Sequence, residues 1–250
     1  MTSSTEVEGG LTPTALGLPA SLEDSGLNVA GVLSSERYDA LVPPAWKCAM
    51  QLPAARSVYV VGSGGSDFYR AARAGSPNAA HPLDEFLERH LSLATRKLAE
   101  KGHASRALFY WQRLPERENS TAQFADFVSL AEAAGLGARS RLGLLLHPVF
   151  GPWFAIRAVI LSEQPFRLES PTPVLESPCS TCSAPCVAAC PGKAVTESEF
   201  SLERCSQTRH ETLQCAERCD ARLACPVGAT HRYSPEALSH HMTAHFRADT

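Results

Sequence analysis

Eight of the nine cysteines lie between residues 179 and 225, and only Cys48 precedes them. They form two runs of four, and the last cysteine of each run is followed by proline. The first run consists of Cys179, Cys182, Cys186 and Cys190, and the second of Cys205, Cys215, Cys219 and Cys225. Closely spaced thiolates of this kind are ligands for iron–sulfur clusters, whose chemistry is the transfer of electrons.

A cubane [4Fe–4S] cluster takes four cysteines, and in two-cluster ferredoxins the cysteine before the proline ligates the cluster of the other run. We therefore expect two [4Fe–4S] clusters with crossed ligation. The first would be held by Cys179, Cys182, Cys186 and Cys225, and the second by Cys190, Cys205, Cys215 and Cys219. Two structural zinc sites are the alternative, although zinc modules favour cysteine pairs separated by two to four residues.

The composition predicts a folded protein of a reducing compartment. The chain has 250 residues, 44% of them hydrophobic, and a formal net charge of −3. The N-terminus lacks the basic and apolar regions of a secretory signal, and no stretch approaches the roughly 18 apolar residues of a membrane span. We expect a cytoplasmic protein that binds no membrane, and the net charge gives no general attraction to nucleic acid.

Alternating strand and helix patterns precede the cysteines and predict an α+β fold. Strands are predicted over residues 29–33, 57–61, 107–111, 142–146 and 154–161, and helices over 83–102 and 121–134. The proline-containing segment 169–178 is predicted to be a linker. We expect a disordered tail over residues 1–20, an α+β domain over 21–168, a double-cluster domain over 169–232, and a tail or short helix over 233–250.

The order of the cysteines, four close together, one alone and then three, resembles that of epoxyqueuosine reductases and, more widely, of reductive dehalogenases. Residues 134–137 (AGLG), 144–148 (LLLHP) and 150–154 (FGPWF) are similar to the segment before the clusters in that family. The resemblance implies an N-terminal α/β sandwich of the nitroreductase-like, corrinoid-binding type. A ferredoxin-like domain with both [4Fe–4S] clusters would follow it.

The resemblance also implies a cofactor and partners. A corrinoid (cobalamin) would lie beside residues 147–154, which makes His147 and Trp153 candidate cofactor-binding residues. A small electron donor of the ferredoxin or flavodoxin type would supply the clusters, and tRNA would be a substrate only of a true epoxyqueuosine reductase. The family's proton-donating aspartate has no counterpart in residues 109–117 (FYWQRLPER), where Tyr110 is one replacement for that acid; His103 and His147 are others.

These patterns favour an iron–sulfur redox protein that passes electrons through two clusters to a cofactor or partner at the domain junction. Since the aspartate is absent, the sequence leaves open whether the chain is itself an enzyme, and its catalytic residues stay unassigned. A corrinoid-dependent reductase with its own substrate is one alternative. A binding module with purely structural metal sites is the other.

Overall fold

The computed structural model describes residue 22 and residues 24–114, 124–165 and 175–243. The predicted N-terminal tail over residues 1–20 lies outside these ranges, as do most of the predicted linker and the last residues of the chain. The described residues form a mixed α+β fold, as the sequence predicts.

A four-stranded antiparallel sheet forms the centre of the N-terminal part. Across the sheet the strands run β1 (Val29–Ser34), β2 (Ser57–Gly64), β6 (Phe154–Ser162) and β3 (Ser105–Phe109). All four strands lie where strands are predicted, although β2 continues through its glycines to residue 64 and β3 ends at residue 109. Every residue of β2 is buried, because helices cover both faces of the sheet.

The two faces of the sheet carry different helices, since alternate residues of a strand point to opposite sides. Tyr59 and Val61 pack against α3 (Asp67–Gly75) and α4 (Pro82–Glu100). Val58 and Val60 face the other layer. That layer contains α1 (Ser35–Asp39), the 3-10 helix Pro44–Trp46, α2 (Cys48–Gln51) and α5 (Phe127–Ala133).

The two long predicted helices are recognisable in the structure. α4 begins with Pro82 at its first position and buries apolar side chains at helical spacing, including Leu83, Leu87 and Leu91. The helix predicted over residues 121–134 appears as α5, and its predicted residues 121–123 lie outside the described ranges. A short hairpin follows, in which β4 (Ala138–Arg139) pairs with β5 (Leu145–Leu146). The predicted strand over 142–146 is therefore only two residues long.

Short helices and turns make up the cysteine-rich part. They are the 3-10 helix Pro178–Thr181, α6 (Pro185–Ala189), α7 (Leu202–Glu211), α8 (Leu213–Glu217), α9 (Asp220–Leu223), the 3-10 helix Ala229–His231 and α10 (Pro235–Thr243). Neither α7 nor α8 buries a residue fully. Little apolar packing therefore holds these two helices, whereas Val195, Ala221 and Leu238 of the same part are buried in small apolar clusters. No helix within the described residues is both long and apolar enough to cross a membrane.

Candidate functional site

The structure brings the first predicted ligand set together around one small cavity. Its thiols come from the 3-10 helix Pro178–Thr181, the residue after it, α6 and the loop that follows α9. The cavity is lined by Cys179, Cys182, Cys186 and Cys225, together with Leu142 and Leu146. The β4–β5 hairpin anchors this loop, because Arg141 donates a 2.6 Å hydrogen bond to the Cys179 carbonyl.

The second predicted set surrounds a cavity of its own. Cys190 ends α6, Cys205 and Cys215 lie in α7 and α8, and Cys219 begins α9. All four line this cavity. The two runs of the sequence are therefore crossed in space, since each cavity takes three thiols from one run and one from the other. This is the grouping that crossed cluster ligation requires.

The thiols of each set are close enough to affect one another's pKa. Burial and the nearby Cys179 and Cys182 raise the pKa of Cys186. Burial and the nearby Cys219, Cys190 and Cys215 likewise raise the pKa of Cys205, although Arg209 lowers it. Because the thiolate is the form that ligates metal, loading such a site must release protons.

Each donor set provides four thiols, which is the number of ligands that a cubane cluster takes. Among the described residues, no three or more His, Cys, Asp or Glu side chains are arranged to hold a metal ion. A structural zinc ion needs four ligands, with sulfurs about 2.3 Å from the metal. Both kinds of site take four thiolates, and a cubane cluster accepts one at each of its four corners.

A buried arginine lies beside the second set. The backbone N–H of Arg222 donates to the Cys219 sulfur at 3.4 Å. Its guanidinium lies over the rings of Trp153 and Tyr233, 4.8 Å from each centroid, and donates to the Pro152 carbonyl. This arrangement places a positive charge close to the thiolates and joins the second set to the loop before β6.

A larger cavity of about 290 Å³ lies between the sheet edge, α5, the β4–β5 hairpin and α10. One wall is apolar and includes Phe127, Val128, Leu144, Leu145, Phe154 and Ile156. The other end is polar and carries Tyr110, Arg157, His240 and His241. A mostly apolar pocket with a few converging polar groups is the usual form of a small-molecule site.

One strand separates this cavity from the first thiol set. In β5, Leu145 lines the larger cavity, whereas Leu146 lines the cavity of the first set. The second set is connected through Pro152, which lines the larger cavity and accepts the hydrogen bond from Arg222. Each thiol set is therefore linked to the larger cavity, the first through β5 and the second through Arg222 and Pro152.

The two residues predicted to bind a cofactor occupy different surroundings. His147 is half-buried, packs against Phe150 and Phe154, and accepts hydrogen bonds from the backbone of Val149 and Phe150 through Nδ1. Trp153 is fully buried against Tyr233 and does not line the larger cavity, although its neighbours Pro152 and Phe154 do. Cofactor binding by either residue stays a prediction.

Tyr110, the predicted replacement for the missing acid, does line the larger cavity. Burial raises its pKa to about 12 even though Arg157 acts in the opposite direction, and its hydroxyl donates to Asp84 at 3.1 Å. Such a phenol releases a proton poorly at neutral pH. His103 is not among the residues that line the cavity.

Arg157 was not anticipated as a site residue. It stands in the middle of β6, whose sequence FAIRAVILS is otherwise apolar apart from its final serine. A single charge inside a buried strand is the signal that would have found it, because a charged side chain is rarely buried without a ligand or partner. The short helix expected over residues 233–250 appears as α10, and its packing against the N-terminal part was not anticipated.

Comparison with known proteins gives a likeness of fold. No protein-family model and no curated protein sequence matches this chain. An epoxyqueuosine reductase from Streptococcus thermophilus matches with a TM-score of 0.55 and 11% identity, covering 87% of this chain and 66% of that chain. An epoxyqueuosine reductase with an epoxyqueuosine-modified tRNA-Tyr stem loop matches with a TM-score of 0.54, 15% identity and the same coverage.

A catabolic reductive dehalogenase also matches, with a TM-score of 0.52 and 13% identity. The match covers 98% of this chain but only 37% of that chain. The chain thus spans about two thirds of the reductases' length and a smaller share of the dehalogenase. At these identities the likeness shows a shared fold.

Proposed function

We propose that this protein is an iron–sulfur redox protein that transfers electrons through two [4Fe–4S] clusters to a cofactor or partner in the larger cavity. The observation that carries the proposal is the crossed grouping of eight thiols around two cavities. The fold shared with epoxyqueuosine reductases and a reductive dehalogenase supports a related redox function. The cysteine-rich part would then be a ferredoxin-like domain, and the sheet with its helices the nitroreductase-like, corrinoid-binding type of sandwich.

Each part of the chain has a defined task in this proposal. The two thiol sets would hold the clusters, which supply one-electron chemistry when bound. The backbone N–H of Arg222 and its buried guanidinium stabilise negative charge at the second set. The leucines of β5 exclude water between the first set and the larger cavity. Hydrogen bonds and burial of this kind are what set cluster potentials.

Electrons would enter at the exposed side of the second set. Arg204 and Arg218 are exposed and directly precede Cys205 and Cys219 in the sequence. Arg232 is also exposed, and it donates to the Leu223 carbonyl at the end of α9, the helix that Cys219 begins. Such a positive surface suits an acidic electron donor of the ferredoxin or flavodoxin type, because complementary charge speeds association. Charge reversal of Arg204 and Arg232 together should slow reduction by such a donor at low salt, while reduction by dithionite should stay unchanged.

The decisive experiment is anaerobic reconstitution followed by counting iron and sulfide on the same sample. About eight iron and eight sulfide per chain are expected for two cubane clusters. The visible absorption should bleach reversibly on reduction, which a protein with purely structural metal sites would not show. Stoichiometric zinc without sulfide would contradict the proposal.

Substitution of single cysteines tests the crossed ligation. Cys225→Ser should disturb the first cluster, although Cys225 belongs to the second run of the sequence. Cys190→Ser should likewise disturb the second cluster. The electron paramagnetic resonance spectrum of each reduced variant shows which cluster is affected. Cys48→Ser is the matched control, because Cys48 is buried in the N-terminal core, outside both sets. If Cys190→Ser disturbed only the first cluster, the partition would be wrong.

A corrinoid-dependent reductase with its own substrate is the second candidate function. It is favoured by the position of the larger cavity, which is lined by Leu144, Pro152 and Phe154 from the segments that resemble the family. Cobalamin titration into the reduced protein should then change the cobalt absorption bands. Absence of binding at cobalamin concentrations well above that of the protein would remove this candidate and leave a two-cluster electron carrier.

We expect no turnover of epoxyqueuosine-bearing tRNA even if a corrinoid binds. The raised pKa of Tyr110 makes it a poor proton donor, and loss of general acid catalysis costs roughly 10²–10⁴-fold in rate. Turnover of that tRNA at a rate typical of an enzyme would show that another group supplies the proton.

A further inference from the structure

Arg157 is a buried cation that contacts a serine, a histidine and two aromatic rings. Its side chain is only 5% exposed. Nε donates to the Ser63 hydroxyl at 3.0 Å, and Nη2 lies 3.2 Å from Nε2 of His241. The guanidinium also lies 5.1 Å from the ring centroid of Phe68 and 5.9 Å from that of Tyr110. These contacts fix its position on the polar end of the larger cavity.

No carboxylate among the described residues forms an ion pair with Arg157. Asp84 accepts its hydrogen bond from the Tyr110 hydroxyl instead. A buried charge without a counter-charge is costly, and proteins keep one mainly where a partner or ligand supplies the opposite charge. An anion bound in the cavity would supply the opposite charge and would accept a charge-assisted hydrogen bond from Arg157.

The opposite wall of the cavity is apolar and partly open to solvent. Val128 is 42% exposed and Leu144 is 38% exposed at this wall, although both are large hydrophobic side chains. Phe127 and Phe154 add aromatic surface beside them. Covering these side chains removes apolar surface from water, which favours binding of a ligand with an apolar body.

We propose that the larger cavity binds a small organic anion, with its carboxylate or phosphate group on Arg157 and its apolar body against Phe127, Leu144 and Phe154. Nε and Nη2 of Arg157 contact Ser63 and His241, so Nη1 is the nitrogen that would donate to such a group. The ligand's part in electron transfer rests on the proposed function, but its binding does not depend on the clusters and is measured without redox chemistry.

The test is isothermal titration calorimetry of the full-length chain with benzoate, phenyl phosphate and the neutral isostere benzamide. Benzoate or phenyl phosphate should bind at least about tenfold more tightly than benzamide, because a hydrogen bond to a charged group is lost with the neutral probe. The stronger of the two anions identifies the anionic group. Equal binding of all three probes, or no binding at about 10 mM, would overturn the proposal.

Variants separate the charge from the cavity. Arg157→Gln should weaken anion binding by at least about tenfold and leave benzamide binding unchanged. Arg106→Gln is the matched control, since it removes an exposed charge from the neighbouring strand β3. It should change neither the affinity for the anions nor the affinity for benzamide. Leu144→Trp places a larger side chain in the cavity lining and should abolish binding of every probe while Arg157 stays in place. A folding defect in Arg157→Gln then cannot decide the outcome by itself. Retained anion binding in both Arg157→Gln and Leu144→Trp would place the ligand elsewhere.

Discussion

His147 is an imidazole whose surroundings favour the neutral form. Burial, and then the nearby His231, lower its pKa from 6.5 to about 4. Between these two values the unfolded chain binds more protons than the folded chain, so the free energy of unfolding should fall as the pH drops from 6.5 towards 4. His147→Gln should flatten that part of the pH dependence, as measured by urea unfolding at a series of pH values. Ser206→Ala, at an exposed position and without an ionisable group, should keep the wild-type slope.

Cys48 is a thiol that should not react in the folded protein. Burial, followed by the neighbouring Asp39, raises its pKa to about 12. At pH 8 only about one thiol in 10⁴ would then be a thiolate, which is the reactive form. Iodoacetamide should therefore leave Cys48 unmodified until denaturant is added, as followed by peptide mass spectrometry. Labelling of Cys48 in the native chain would mean that the thiol is accessible.

Two tight turns join the sheet to the cysteine-rich part. Gly151 has φ 56° and Gly228 has φ 65°, and a Cβ on either would clash with the backbone of the other turn. Gly151→Ala should lower the free energy of unfolding by clearly more than Gly102→Ala. Gly102 shares the positive φ but has open space around it, so it measures the backbone strain of about 1–2 kcal/mol alone. Thermal unfolding of both variants gives the comparison, and equal losses would show that the turns do not need their close contact.

Strands and helices were the most predictable features, because the spacing of apolar residues that indicates them can be read from a short stretch of the sequence. The pattern of Val58, Tyr59, Val60 and Val61 predicts β2, and the spacing in α4 predicts that helix. The spacing of the cysteines likewise predicts the crossed grouping. The larger cavity could not be predicted in the same way, since its walls come from β6, α5, the β4–β5 hairpin and α10, which meet only in the folded chain. The burial of Trp153 also depends on such a distant partner, Tyr233.

The molecule has two parts with unequal sources of stability. The four-stranded sheet is buried on both faces, whereas α7 and α8 have no fully buried residue. If clusters bind the thiols, their binding free energy is also folding free energy for residues 175–243. Treatment with an iron chelator should make this segment sensitive to trypsin while residues 24–114 stay protected, as read by mass spectrometry of the fragments. Simultaneous digestion of both parts would show that they unfold as one unit.

The two leucines of β5 also bear on how the protein tolerates air. The two-residue strand β5 separates the two cavities, because Leu145 lines the larger cavity and Leu146 lines the cavity of the first thiol set. A ligand in the larger cavity is therefore separated from the first thiol set by this strand alone. Dioxygen and water that enter the cavity would reach the sulfurs as soon as the Leu146 side chain became smaller or polar. The leucine pair thus acts as a permeability barrier, and the lifetime of the first cluster in aerated buffer should depend on the volume of a single hydrocarbon side chain at position 146.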